Sequence, residues 1–285
     1  MCRLQSTRCW QTAPMGMSHP SRVLPPSLAP ELAKVRQVME TLCDLWDAAP
    51  PGTVEYRGEL DAARAIGIRT HAHHAVRASR AVLHLDLTTA GIELVPLVRL
   101  IMECAVTAAW LLLIPGSGHA LIRDGAAQRL KALNLLTTFG EEPGPAKAQA
   151  EVAHADLEDA SGPRSFAFEQ RCQRLDGGER LYLTYRAFSA ESHSGMGIAD
   201  FYSVETSSSP IGIVFNPRAT SSVRASTIGI AACMLLLALN ADELARPKPT
   251  HTTQIKKAAK RLGVGTRIVA SDGTELPPRR ESGAP

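Results

Sequence analysis

Two apolar segments limit what this 285-residue chain folds into. Residues 104–114 contain no charged side chain, and residues 225–241 are uncharged over 17 positions. A helix that crosses a bilayer needs about 20 predominantly apolar residues. Because both segments are shorter than that, and the first ends at Pro115, we expect no membrane span. We expect instead two buried helices at the centre of a folded protein.

Composition and apolar spacing both favour helix over sheet. Aromatic residues make up only 5% of the chain, while Ala and Leu, which favour helix, are abundant. Apolar residues recur every three or four positions in most segments, and residues 201–217 have the pattern of an ordered loop with a short extended piece. The predicted helices cover about residues 28–49, 70–89, 93–113, 119–138, 145–160, 179–193 and 222–244. We therefore predict an all-α fold, a single helical-bundle domain of about six or seven helices.

The distribution of charge suggests three parts. Residues 1–27 contain three Arg and no acid, and residues 246–285 contain nine Lys and Arg against three acids. The whole chain is +3, so residues 28–245 are mildly acidic. We predict a disordered N-terminal segment at 1–27, the helical domain at 28–245, and a basic flexible tail at 246–285 with a short helix near 254–262. Such a tail either contacts nucleic acid or an anionic surface, or is simply a solvated end.

The cysteines and the N-terminal region predict a cytoplasmic location. Six cysteines are scattered along the chain without a Cys-x-x-Cys motif, which disfavours a disulfide framework. Arg3 and Arg8 are not followed by the apolar core of a signal peptide. Met1, Met15 and Met17 are equally good candidates for the residue at which translation starts.

Two charged residues stand in the first apolar helix. Arg99 and Glu103 are four positions apart and therefore share one helix face. Burying both charges costs on the order of several kcal/mol per ion, because each ion loses its hydration, unless each is paired. The pair either fixes the packing of the helix or belongs to a functional site.

A second polar group lies on the predicted helix 179–193. Tyr185, Ser189 and His193 follow one another at intervals of four, and Arg186 precedes His193 by seven, so helical spacing puts them on one side. Arg supplies a permanent cation and His a group that titrates near neutrality, so together they can hold a phosphate and move a proton beside it. Alternatively, the Tyr, Ser and His side chains satisfy one another and Glu103 inside the core.

A metal site is not expected. His71, His73 and His74 crowd the predicted start of the second helix, but a metal needs three or four ligands with supporting groups, and no such set lies nearby in sequence. We interpret this cluster as a solvated first turn, and we predict neither a metal nor another cofactor.

The polar residues also carry a family resemblance. Residues 98–103 and 105–111, together with residues 185–189 and His193, resemble a bacterial family of helical proteins of unassigned function, distantly similar to HEPN domains. The resemblance covers roughly residues 70–245. Many HEPN proteins are metal-independent ribonucleases of stress or phage defence that use Arg, four to six residues, then His, and they usually pair as dimers.

The resemblance implies roles for particular residues. Arg186 and His193, with six residues between them, match the HEPN motif, although Ala187 stands where a polar residue often follows the Arg. By this resemblance His193 assists attack of a ribose 2′-hydroxyl on the adjacent phosphate and Arg186 stabilises the developing charge. The supporting polar network comprises Arg99, Glu103, Tyr185 and Ser189.

Three functional hypotheses follow. The first is a HEPN-like homodimer that binds or cleaves RNA or a nucleotide. The second is a non-catalytic protein-interaction module whose polar network specifies helix packing. The third is peripheral membrane association through apolar helices and the basic end. Exposure of His193 separates the first two, because catalysis needs access to solvent and a packing device does not.

Overall fold

The computed structural model describes residues 29–48, 55–86, 92–142, 144–155, 167–193, 196–216 and 224–277. These ranges form ten α-helices and one two-stranded sheet, which confirms the predicted all-α class. The helices are α1 (Ala29–Asp47), α2 (Ala62–Leu85), α3 (Val95–Leu113), α4 (Ser117–Thr138), α5 (Pro145–Ala155), α6 (Phe168–Gln173), α7 (Gly178–Ser192), α8 (Met196–Tyr202), α9 (Arg224–Ala245) and α10 (Thr252–Leu262). The predicted disordered segment 1–27 lies outside the described residues.

The core forms where α2, α3 and α9 pack together, with α1 on α2 and α9. Within it, α3 is buried at nearly every position of its second half. Two segments, Ile92–Leu113 and Ala225–Ala245, are long and apolar enough to cross a membrane, but 72% of the apolar window of each is buried inside the fold. Such burial is typical of the core helices of a folded protein.

A buried arginine of α2 caps the C-terminal end of α3. The Arg64 guanidinium donates from Nε to the carbonyl oxygen of Leu111 at 2.6 Å and from Nη2 to that of Leu112 at 2.7 Å. The last carbonyls of a helix lack partners within the helix and carry partial negative charge, so a cation here satisfies them. This contact ties α2 to α3.

Several helix boundaries differ from the prediction. Helix α2 begins at Ala62 rather than near residue 70, because the Asp61 carboxylate caps it by accepting a hydrogen bond from the Arg64 backbone N–H at 2.8 Å. Helices α6 and α8 have six and seven residues, too few to show a helical period in sequence. The extended piece is present as an antiparallel hairpin of β1 (Ser203–Glu205) and β2 (Ile213–Phe215).

The described part of the C-terminal region, 246–277, differs from the predicted flexible tail. Helix α10 buries Ile255, Ala258 and Ala259 and packs against α9 and α1. Beyond it, the backbone pairs with the turn between α6 and α7, and Arg57 Nη2 donates to the Pro277 carbonyl oxygen at 2.7 Å. The region is therefore part of the fold.

Candidate functional site

Three polar residues form a line along α3. Arg99, Glu103 and Thr107 follow one another at intervals of four positions, so they lie on one face of α3, a helix that is buried over most of its length. This face meets α6 and α7. The side chains of Arg99 and Glu103 are 25% and 35% exposed, so the pair is partly open to water.

The structure brings Arg99 and Glu103 together with Tyr185 of α7. Arg99 donates from Nε to Glu103 Oε1 at 3.1 Å and from Nη2 to the Tyr185 hydroxyl at 2.8 Å. Its guanidinium carbon also lies 4.8 Å from the centre of the Tyr185 ring, within cation–π range. Burial, and then the hydrogen bond to the Glu103 carboxylate, raise the pKa of Tyr185. The three side chains form a closed network that fixes α7 on α3.

Arg171 of α6 extends this network, although the sequence did not predict it. Its Nη1 donates to Thr107 Oγ1 at 2.9 Å, its Nη2 lies 3.8 Å from Asp124 Oδ2, and its guanidinium carbon lies 5.6 Å from the centre of the Trp110 ring. Its Nε is buried without a hydrogen-bond partner within the described ranges. Burial lowers the pKa of Arg171, and the carboxylates of Asp124 and Glu103 oppose that effect.

Aromatic rings fill the space beside these charges. The Phe168 ring centre lies 4.2 Å from that of Tyr185, and the Tyr182 ring is stacked on Tyr185 at 6.2 Å. Aromatic pairs at such distances contribute about 0.5–1.5 kcal/mol beyond their buried area. The inner side of α6 and α7 thus combines cations with aromatic faces.

Backbone contacts hold α6 and α7 together. Gly177 has φ of 72°, a left-handed conformation that glycine adopts without steric cost. At Gly178 an added Cβ would overlap the backbone carbonyl of Cys172, so only glycine fits this close approach. The Asp176 N–H donates to the Val269 carbonyl oxygen at 2.9 Å, which ties the turn to the C-terminal segment.

The remaining predicted site residues lie elsewhere on α7. Ser189 Oγ donates to the Tyr185 carbonyl oxygen of its own helix at 2.8 Å and not to Glu103. Arg186 is exposed, on the side of α7 that carries Leu183, and His193 is exposed just after the last turn. In the described part of the chain, no hydrogen bond or ion pair links the side chains of Arg186 or His193 to the α3 network. The predicted polar group is therefore divided between two faces of α7.

The histidine cluster does not form a solvated first turn. His71 and His73 lie in the third turn of α2 because the helix begins at Ala62. His71 is partly buried with Nδ1 at 2.7 Å from the Gly67 carbonyl oxygen, and burial lowers its pKa. Trp46 donates to His73 Nδ1 at 3.1 Å. Among the described residues no group of three His, Cys, Asp or Glu side chains is placed to hold a metal ion.

Comparison with known proteins found no matching family model, no matching curated protein and no matching solved structure. The HEPN resemblance therefore stays a prediction. Functional interpretation depends on the geometry of α3, α6 and α7.

That geometry supports two kinds of chemistry. On the inner face, the charges of Arg99, Glu103 and Arg171 are largely paired with protein groups, which suits positioning of helices. On the outer face, Arg186 and His193 expose a guanidinium and an imidazole to solvent, which suits contact with an anionic ligand.

Proposed function

We propose that this chain is a HEPN-like helical protein that binds RNA or a nucleotide on the outer face of α7 and cleaves RNA there without a metal. The proposal depends on one observation: Arg186 and His193 are both exposed on a helix that the inner network holds firmly. Access to solvent is what a catalytic His and Arg require, and a packing role would have buried them.

The spacing of the two residues fits a phosphodiester. Seven positions along a helix correspond to a rise of about 10 Å, a gap that the long Arg186 side chain spans in part. When a phosphate binds between the two residues, the Arg186 guanidinium stabilises the negative charge on its non-bridging oxygens. His193 then accepts the proton of the neighbouring 2′-hydroxyl as its oxygen attacks phosphorus, and the 5′-oxygen leaves with a proton from water. The products are a 2′,3′-cyclic phosphate and a 5′-hydroxyl.

Cleavage of single-stranded RNA by the purified chain in excess EDTA tests this directly. We expect Arg186→Ala and His193→Ala each to reduce cleavage at least about 100-fold, the usual contribution of an acid–base or charge-stabilising group. Arg180→Ala is the control for the arginine, because Arg180 is an exposed Arg on the same helix. His84→Ala is the control for the histidine, because His84 is an exposed His on α2. Both controls should retain full activity.

The possible outcomes separate catalysis from binding. If the wild-type chain and all the variants bind RNA equally and none of them cleaves it, the catalytic part of the proposal fails. If Arg186→Ala loses RNA binding and Arg180→Ala keeps it, the nucleic-acid-binding part is supported. Absence of both binding and cleavage in the wild-type chain overturns the proposal.

A second candidate is a non-catalytic interaction module. It is favoured by the closed contacts among Arg99, Glu103 and Tyr185, which need no ligand, and by large apolar side chains exposed on α4 and α5. It predicts that α7 variants leave RNA binding unchanged while substitutions on α4 change assembly.

A further inference from the structure

The exposed side of α10 carries a cluster of cations. Lys256, Lys257, Lys260 and Arg261 are all exposed, and they fall within about one and a half turns of the helix. No Asp or Glu occurs in residues 246–262, so the helix and the turn before it contain no carboxylate of their own. These four side chains form the cationic face of α10.

The charges of this face are not neutralised inside the fold. Across the part of the chain that the structure describes, the side chains of Lys256, Lys257 and Lys260 have no hydrogen-bond or ion-pair partner. Arg261 donates from Nη2 to Gln37 Oε1 of α1 at 2.6 Å, and because that amide is neutral, the positive charge of Arg261 remains. The face therefore presents four positive charges to solvent.

Helix stability does not explain the cluster. Lys257 lies three residues before Lys260 and four before Arg261, and Lys256 lies four before Lys260. Like charges at these intervals repel each other and destabilise a helix. Cations in the last turn interact favourably with the helix dipole, which accounts for Lys260 and Arg261 but for neither Lys256 nor Lys257. The clustering therefore points to an external partner with negative charge.

The fold disfavours a membrane or a protein as that partner. Helices that lie in a bilayer surface insert an apolar face, but Ile255, Ala258 and Ala259 of α10 are buried in the packing on α9 and α1. Protein interfaces are anchored by aromatic and apolar side chains and are depleted in Lys, and α10 contains no aromatic residue. Recognition by charge alone is instead typical of contacts with phosphate groups.

We propose that the cationic face of α10 binds the phosphate backbone of a nucleic acid duplex, independently of base sequence. A duplex carries one negative charge per about 1.7 Å of its axis, so several phosphates fall along a helix of 11 residues, which is about 16 Å long. Lys binds phosphate as a point charge. Because α10 has no aromatic side chain to stack on bases, it has no means of preferring a single strand.

This contact goes beyond the RNA site proposed on α7 and lies on other elements. Helix α10 packs on α9 and α1, whereas α7 packs on α3 and α6. A DNA duplex lacks the 2′-hydroxyl that cleavage requires, so it reports binding apart from cleavage. Arg186→Ala and His193→Ala should both keep full duplex binding, so the two proposals fail separately.

Fluorescence anisotropy with a labelled DNA duplex tests the contact. With about four phosphate contacts, the logarithm of the association constant should fall against the logarithm of salt concentration with a slope of about −3.6. The double variant Lys257→Gln, Lys260→Gln should reduce the size of this slope by about 1.8. It should also weaken binding at least about 10-fold at about 0.1 M salt.

Matched variants show whether the effect comes from the charge of α10. The double variant Lys257→Arg, Lys260→Arg keeps both charges, so it should keep the affinity and the salt slope of the wild type. Lys131→Gln removes an exposed Lys from α4 and should change neither. Circular dichroism and the thermal midpoint should be the same in every variant, because the substituted side chains are exposed.

Three results would contradict the proposal. One is the absence of duplex binding by the wild type at about 0.05 M salt, where phosphate contacts are strong. Another is duplex binding that the substitution of both Lys257 and Lys260 by Gln leaves unchanged. The third is tighter binding to phosphatidylserine vesicles or to polyglutamate than to the duplex, lost in the same double variant, which assigns the face to a membrane or to an acidic protein.

Discussion

The two faces of α7 carry polar side chains in different surroundings. On the inner face, Tyr185 accepts a hydrogen bond from Arg99 and packs against Phe168. On the outer face, Arg186 and His193 are exposed. A hydroxyl or a charge that is paired in a half-buried site stabilises the fold, whereas an exposed and unpaired one contributes little to stability. The comparison separates residues that position α7 from residues available to a ligand.

The largest expected effect comes from a substitution that disrupts the packing of α7 against α6. Gly178→Ala places a methyl group on the backbone carbonyl of Cys172, and neither backbone segment can move without losing the α6–α7 turn. We expect a loss of about 4 kcal/mol of unfolding free energy, in the range of severe steric substitutions, measured by urea denaturation.

The control for that substitution is another helical glycine. Gly229 lies within α9, and a Cβ there would meet nothing within 4 Å. Gly229→Ala should therefore be neutral or stabilise by up to about 1 kcal/mol through helix propensity. Equal destabilisation by both substitutions would contradict the close approach at Gly178.

The second prediction concerns the inner face at α6. Arg171→Ala removes the hydrogen bond to Thr107 and the charge facing Asp124. We expect a loss of about 2 kcal/mol, less than for a fully buried ion pair because Asp124 is one-third exposed. Denaturant unfolding of the wild type and the variant gives this number.

A cysteine next to Arg171 reports whether the loss is local. Burial raises the pKa of the Cys172 and Cys43 thiols to about 12, so both should alkylate slowly at pH 8 in the folded chain. In Arg171→Ala the alkylation rate of Cys172 should rise while that of Cys43, in the core with α1, stays low. A parallel rise at both cysteines would point to global unfolding and against a local anchoring role.

Much of the fold follows from sequence, and the exceptions have physical causes. Helix α3 was predictable because a run of apolar residues needs burial whatever its partners. Helix α10 was not recognised as part of the fold, because its Lys and Arg dominate the charge count while Ile255 and Ala258 pack inward. Its start also depends on a residue of the preceding helix: Glu243 of α9 accepts hydrogen bonds from the His251 N–H at 2.6 Å and the Thr252 hydroxyl at 3.0 Å.

The candidate site was predictable only in part. Arg99, Glu103 and Tyr185 stood out because polar side chains at helical spacing within apolar segments need partners. Helical spacing alone cannot tell which side of α7 faces α3, and in the structure Arg186 is on the exposed side. Arg171 gave no signal, because a six-residue helix is too short for periodicity and its partner Thr107 is 64 residues away.

The third prediction sharpens the comparison through pH. Tyr185→Phe removes one partly buried hydroxyl that bonds Arg99, which should cost about 1 kcal/mol near neutral pH. The pKa of Tyr185 is raised in the folded chain, so the folded state holds this proton more tightly than the unfolded state does. That stabilisation is complete below the ordinary tyrosine pKa of about 10 and is lost as pH rises through the folded-state pKa.

Urea unfolding between pH 8 and pH 11 measures this dependence. The stability difference between the wild type and Tyr185→Phe should shrink as pH rises above about 10. A difference that stays constant over this range would mean that the hydroxyl is not held by the Arg99 and Glu103 pair. Tyr182→Phe, on the same face of α7, is the matched control.

The smallest expected effect concerns the outer face. Arg186→Ala and His193→Ala should each change the unfolding free energy by no more than about 0.5 kcal/mol, as exposed substitutions without partners usually do. The His193 backbone N–H donates to the Ser189 carbonyl oxygen at 3.2 Å, and that bond does not depend on the side chain. A loss of about 2 kcal/mol or more, the size expected for Arg171→Ala, would show that the outer residues also hold α7 in place. If both variants keep their unfolding free energy within this limit and lose RNA cleavage, then Arg186 and His193 contact the ligand and do not contribute to the packing of α7.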